Sequence, residues 1–208
     1  MADFKILNDF VPQSMADTIE HVIMYDDFKY QPATVELSSE RDTNDINIKD
    51  TFQFVKGLIN INHLDGSISH LDPLFDQYAK PILWFVEKST GIKVIDIFRV
   101  KINLLLPNNT NENNYSPPHY DDQRDDMVSM VYYINNADGD TFIFNKDGKN
   151  APNNLKISGR SSPKKGNAVI FKSNQWHASS NPIKYSNRFI MNFVFQAEPE
   201  SFKRFINE

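Results

Sequence analysis

Apolar residues recur at two different periods along this chain of 208 residues, and the change of period falls near Lys93. Before that point the pattern is mostly helical. In "SMADTIEHVIMYD", Ser14 stands where an N-cap is expected, with Asp17 three residues on and Met15, Ile19, Val22 and Ile23 at helix spacing. In "LDPLFDQYAKPILWFVEKSTG", Asp72 is the expected cap, Pro73 opens the first turn, and Gly91 marks the end. Leu74, Tyr78, Ile82 and Phe85 form its apolar stripe, Trp84 is expected in the core with them, and Pro81 predicts a kink. Between the two helices "TFQFVKGLIN" reads as a strand, and the polar "SSERDTNDINIKD" before it as a mobile loop.

From Lys93 onward apolar and polar residues alternate, and Gly, Pro and Asn break the chain at short intervals. The expected strands are "KVIDIFRVKINLLL", "HYD", "DMVSMVYYIN", "DTFIF", "NLKI", "NAVIF" and "RFIMNFVF". Many short strands with such punctuation predict an α+β, mainly β fold: a sandwich or jelly roll over residues 93–198, with the helices of residues 1–92 packed on its outside. The length suits one domain spanning 1–208.

Composition narrows the chemistry. No cysteine is present, which excludes disulfides, thiolate metal sites and a cysteine nucleophile, and leaves His, Asp and Glu as the strong metal ligands. The first residues hold no apolar run of signal-peptide length and no later run approaches a membrane span, so a soluble, cytoplasmic protein is expected. A net charge of −5 disfavours a phosphate backbone as partner.

Against that background "SPPHYDDQRDD" stands out. In an extended segment His119 and Asp121 point to one face while Tyr120 points away, a chelate arrangement. Downstream, "NQWHASSNPIKYSNRFIMNFVF" supplies His177 after an apolar strand and Arg188 at the head of the last one. Two imidazoles and one carboxylate form the facial triad of non-heme Fe(II) oxygenases, which leaves coordination positions open for a 2-oxo acid and dioxygen. The far carboxylate of such a co-substrate needs a rigid bidentate cation inside the barrel, and Arg188 meets the need. Arg188 shares a face with Ile190 and Asn192, and Ser129, Val131 and Tyr133 share one in the same way, so the hydroxyls of Ser129 and Tyr133 are expected to complete the clamp.

Taken in order, "YSPPHYDD", "VSMVYYIN", "DGDTFIF", "PKKGNAVIF", "WHASSNP" and "NRFIMNFVF" resemble the Fe(II)- and 2-oxoglutarate-dependent dioxygenases, within them the prolyl 4-hydroxylase-like branch. The resemblance implies a double-stranded β-helix, or jelly-roll, core. It makes His119, Asp121 and His177 the catalytic iron ligands and Arg188 the anchor for the distal carboxylate of 2-oxoglutarate. Tyr133 matches a strand tyrosine that bonds the same carboxylate, and Ser129 matches a threonine. The implied activity is hydroxylation of a substrate, with a prolyl residue in a peptide or protein favoured over nucleic acid, and a small molecule as the other substrate class. 2-Oxoglutarate is decarboxylated to succinate, with Fe(II) as cofactor and ascorbate as a reductant.

Two departures concern the substrate side. Asn103 stands on the strand where the family often has a tyrosine, and the Asn-rich loop before Tyr115 is longer than usual, so a co-substrate contact from either residue is left open. An AlkB-like nucleic-acid demethylase would share the triad but would want a basic groove, which the acidic "DDQRDD" does not offer. A non-catalytic jelly-roll binding module is the other alternative. His63 and His70 are read as turn and helix-cap residues, and "DDQRDD" beyond its first aspartate as a solvated loop.

Overall fold

The computed structural model describes residues 4–25, 30–33, 52–62, 65–108, 115–148 and 155–207. Its strands are β1 (Phe4–Leu7), β2 (Gln31–Ala33), β3 (Gln53–Ile61), β4 (Ile68–Leu71), β5 (Val94–Leu105), β6 (Met127–Tyr133), β7 (Thr141–Asp147), β8 (Ile157–Ser161), β9 (Ala168–Lys172), β10 (Gln175–Ser179) and β11 (Arg188–Ala197). The helices are α1 (Gln13–Tyr25), α2 (Lys80–Thr90) and α3 (Pro199–Asn207). A large antiparallel sheet runs β1-β9-β6-β11-β5-β3-β2, with β4 added to β3, and a small one runs β10-β7-β8. The protein is a mainly β jelly roll, the fold the alternation after Lys93 predicts.

Period two assigns the two faces of the large sheet to different work. Phe189, Met191, Phe193 and Phe195 of β11, Met130 and Tyr132 of β6, and Val100 and Ile102 of β5 turn outward. There they join Ala16, Ile19 and Ile23 of α1, Ile82 and Val86 of α2, and Phe202 and Phe205 of α3 in one buried cluster. Ile19, Ile82 and Val86 have no exposed surface, and each stabilises the fold by about 1.5–3 kcal/mol. The opposite face looks toward the small sheet. Val131, Tyr133, Val169, Phe171 and Ile190 pack there with Ile143 of β7, and Phe4 of β1 closes against them. Phe4 sits on Gly159 of β8: a Cβ added to that glycine would lie 2.2 Å from the phenylalanine ring.

Several local expectations are revised. Ser14 lies inside α1, which begins at Gln13, and the backbone carbonyl of Pro12 accepts the amides of Met15 and Ala16. The kink expected at Pro81 is a change of helix type: Phe75–Ala79 winds as a π-helix, and Pro81, having no N–H to place, occupies the first turn of α2. Gly91 ends α2 in the left-handed conformation at φ 72°. Trp84 is 52% exposed and stacks under the Lys88 ammonium, so it does not belong to the core. His70 is on β4, where its Nε2 meets the carbonyl of Gly57 at 2.8 Å, and is not a helix cap. His63, the whole of "SSERDTNDINIKD" and residues 109–114 of the Asn-rich loop lie outside the described residues. Among the described residues no helix is long and apolar enough to cross a membrane.

Candidate metal centre and anion pocket

Two chain segments deliver the three candidate ligands: the stretch before β6 carries His119 and Asp121, and β10 carries His177. His119 bridges to His177 as an isolated antiparallel pair, with amide-to-carbonyl bonds of 2.9 and 2.8 Å in the two directions, so it extends the small sheet beyond β10. Two residues on, the Asp121 amide donates to the carbonyl of Ser173 at 2.9 Å, which turns the carboxylate back toward the same point. One ligand atom from each of His119, Asp121 and His177 lies within 4.8 Å of the others, a cluster that could hold a metal ion.

The donor set fits a divalent transition metal. Each imidazole uses Nδ1 on a backbone carbonyl, His119 with Pro117 at 3.3 Å and His177 with Gln175 at 2.9 Å, which leaves Nε2 as the ligand atom. Burial pushes the His119 imidazole down to about 3, helped by the neighbouring His177 and opposed by Asp121. Burial lowers His177 as well, against the pull of Asp121. Both rings are therefore neutral at pH 7, the form that binds metal. For Asp121, burial favours the protonated acid, but the Arg99 guanidinium and the other positive groups nearby outweigh it and hold the carboxyl below its ordinary range.

Asp121 is fixed from both sides. Arg99 Nη2 of β5 donates to Oδ1 at 2.5 Å, and the Ser129 hydroxyl of β6 donates to Oδ2 at 2.7 Å. Ser129 is in turn 2.9 Å from the Ser173 hydroxyl. Ser129, expected in the carboxylate clamp, thus stands at the metal end of the interior. Arg99, Ser173 and the β10 strand could not be picked out from spacing, because each reaches the site through pairing register.

The clamp end is built around Arg188. Its side chain is 0% exposed, Nη2 donates to the Thr141 hydroxyl at 2.9 Å, and Nε and Nη1 have no partner. Tyr133 lies against it with the ring centroid 5.8 Å from the guanidinium carbon, and its hydroxyl meets Thr141 Oγ1 at 3.0 Å and the Ser161 carbonyl at 3.1 Å. A buried cation with two idle donors could receive an anion, since leaving it unpaired is costly. Thr141 completes the pocket, and the sequence reading did not single it out.

Asn103 is buried on the sheet face it shares with Arg188, and Tyr115 is not on that face: Tyr115 packs on Phe142 and Phe144 with centroids 5.3 Å away, on the outer side of the small sheet. The remainder of "DDQRDD" is tied down. Asp122 pairs with Arg124, Asp125 accepts from Asn174 and Asp126 from Gln196.

Comparison with known proteins agrees with this geometry. The sequence model of the 2OG-Fe(II) oxygenase superfamily matches residues 105–196, the stretch that carries all three candidate ligands and Arg188. No curated protein matches. Among solved structures the fold is similar to a Pseudomonas putida prolyl-4-hydroxylase (18% identity, 95% of this chain and 94% of that one, TM-score 0.55). It is similar also to a Trichoplax adhaerens prolyl hydroxylase in complex with a hypoxia inducible factor peptide fragment (13%, 98% and 87%, 0.57). A third is an oxidoreductase of the 2OG-Fe(II) oxygenase family from Burkholderia pseudomallei (13%, 93% and 85%, 0.59). The matched segment, the jelly roll and the clustered donors agree: over residues 105–196 the chain is similar in sequence to the 2OG-Fe(II) oxygenase superfamily, and that stretch carries the donor cluster.

Proposed function

We propose that the protein is an Fe(II)- and 2-oxoglutarate-dependent hydroxylase in which His119, Asp121 and His177 bind the iron and Arg188 binds the distal carboxylate of 2-oxoglutarate. The observation that carries this reading is the pairing of two half-sites on the inner face of the large sheet: a neutral-neutral-anionic donor triad, held by Arg99 and Ser129, and further along the same face a fully buried guanidinium with idle donors. When bound, the iron and 2-oxoglutarate supply the oxidising chemistry, which yields succinate and a hydroxylated substrate.

The chain's own residues do the rest. Arg99 and Ser129 hold both oxygens of Asp121, so the anionic ligand keeps its direction. Thr141 and Tyr133 position the Arg188 fork and keep water from pairing with it. Val131, Ile143, Val169 and Ile190 line the interior between the sheets with apolar surface, which excludes bulk water from the reacting groups.

For the substrate we propose a peptide segment with a prolyl residue as the group hydroxylated. The likeness of the fold to two prolyl hydroxylases, one bound to a peptide fragment, and the acidic balance of the chain support that choice. The test follows succinate formation in the presence of proline-containing peptides, free amino acids or methylated oligonucleotides. Stimulation by peptides with a mass gain of one oxygen on proline is expected. Stimulation by oligonucleotides alone would overturn the substrate while leaving the iron chemistry standing.

A further inference from the structure

Behind the small sheet lies a separate cavity of about 250 Å³ that the metal and anion sites do not use. Along β7, Thr141 and Ile143 turn inward, and Phe142 turns outward beside its register partners Arg160 of β8 and Ala178 of β10. Tyr115 leans on Phe142 with ring centroids 5.3 Å apart at a 49° tilt, and Ile183 adds an apolar wall. The loops around the cavity are tied together. Asp138 accepts the backbone amides of Ile183, Lys184 and Tyr185, and the Ser180 amide donates to the carbonyl of Asp140 at 2.9 Å. Gly139, at φ 100°, packs so closely that a Cβ there would stand 2.7 Å from the Ser180 carbonyl oxygen. The cavity is therefore preformed, and its size, below the roughly 300–1,000 Å³ of pockets for whole small-molecule ligands, suits one long side chain.

The polar groups of this cavity are acceptors. The Asp140 side chain is 19% exposed, and among the described residues no group donates a hydrogen bond to its carboxylate. Arg160, 70% exposed, comes to 3.6 Å through Nε, too far for a hydrogen bond. Asn181 spends Nδ2 on the carbonyl of Leu106 at 2.8 Å, so its open group is the oxygen. A shielded carboxylate, an amide oxygen and two aromatic rings together make a receptor for a cation. We propose that the cavity is a docking site for a basic side chain, lysyl or arginyl, of a peptide partner. The charged head takes the Asp140 carboxylate, and the methylene stem lies against Ile183 and the rings of Tyr115 and Phe142. Arg160, which makes no hydrogen bond to Asp140, swings into solvent as the guest enters. The net charge of −5 draws a basic partner toward the chain. This docking stands apart from the iron chemistry and does not rest on it.

The test is an NMR titration of the isotope-labelled full chain, with Zn(II) added as a diamagnetic stand-in for iron. The probes are N-acetyl-lysine methylamide and N-acetyl-arginine methylamide. N-acetyl-norleucine methylamide, which keeps the stem without the charge, and N-acetyl-glutamate methylamide are the controls. Saturable shifts at the backbone amides of Gly139, Phe142, Arg160 and Ser180 are expected with at least one basic probe and with neither control. Asp140→Asn should weaken that binding about tenfold, as when a charge-assisted bond is lost. Arg160→Ala should strengthen it several-fold by removing the competing cation, and Ile183→Lys, at an exposed position, should abolish it. The amide spectrum of each variant reports that its fold is kept. No saturable shift with either basic probe, or parent-like binding by Asp140→Asn, overturns the proposal. Saturation by the glutamate probe that is lost in Arg160→Ala overturns it in favour of an anion, and norleucine binding equal to lysine reduces the cavity to an apolar pocket and overturns it too.

Discussion

Arg188 donates to the hydroxyl of Thr141 at 2.9 Å and leaves two of its guanidinium nitrogens idle, although the side chain is wholly buried. Burial pulls such a cation toward deprotonation, and only Tyr133 and the more distant Asp140 act in the other direction. A bound carboxylate would fill the gap. Arg188→Ala is therefore expected to raise the 2-oxoglutarate concentration required for turnover about tenfold or more, as when a charge-assisted bond of about 1.5–3 kcal/mol is lost. Arg188→Lys should fall between the two. Steady-state kinetics against 2-oxoglutarate checks this, and an unchanged requirement would place the anchor elsewhere.

Asp121 brings the only negative charge to its cluster, and both imidazoles beside it are neutral. Asp121→Ala is expected to abolish Fe(II) binding and turnover while leaving the fold intact. Calorimetric metal titration with a thermal melt on the same sample checks both halves. Iron binding equal to the parent would refute the triad.

Ser129 touches the candidate metal cluster by its 2.7 Å bond to Asp121 Oδ2. Ser129→Ala should weaken metal binding by roughly three- to tenfold, the equivalent of one hydrogen bond of about 0.5–1.5 kcal/mol, with the 2-oxoglutarate requirement unchanged at saturating iron. A raised 2-oxoglutarate requirement with unchanged metal affinity would return Ser129 to the carboxylate clamp.

The seat of Phe4 on Gly159 makes a prediction about stability. Gly159→Val forces the ring out of a packed interior and should cost about 1–3 kcal/mol in chemical denaturation. Phe4→Leu in the same chain should recover part of the loss, because the two positions are in contact. Additive effects would mean that the ring does not occupy that seat.

Legibility differed by the range of the signal. His119 and Asp121 declare themselves by a spacing of two in an extended segment, and the inward faces of "VSMVYYIN" and "RFIMNFVF" follow from alternation alone; the structure keeps all of these. The partners that give the site its electrostatics do not announce themselves. Arg99 reaches Asp121 from β5, 22 residues away in the chain, and Thr141 reaches Arg188 from the opposite sheet. Such contacts depend on register, which local propensity does not set. Trp84 shows the opposite failure. Its apolar bulk suggested the core, yet neighbouring positions of α2 already fill the buried stripe, and the indole lies under a lysine at the surface.

The proposed function requires that the triad hold iron and that Arg188, on the same inner sheet face, hold 2-oxoglutarate. Its most direct measurement is succinate formed from 2-oxoglutarate by the purified protein with the peptide pool present, with Fe(II) and oxygen supplied or withheld, alongside Asp121→Ala. Succinate that appears only when the parent protein, Fe(II) and oxygen are all present is the predicted result. Equal succinate from Asp121→Ala, or none from the iron-loaded parent that binds 2-oxoglutarate, would contradict the account.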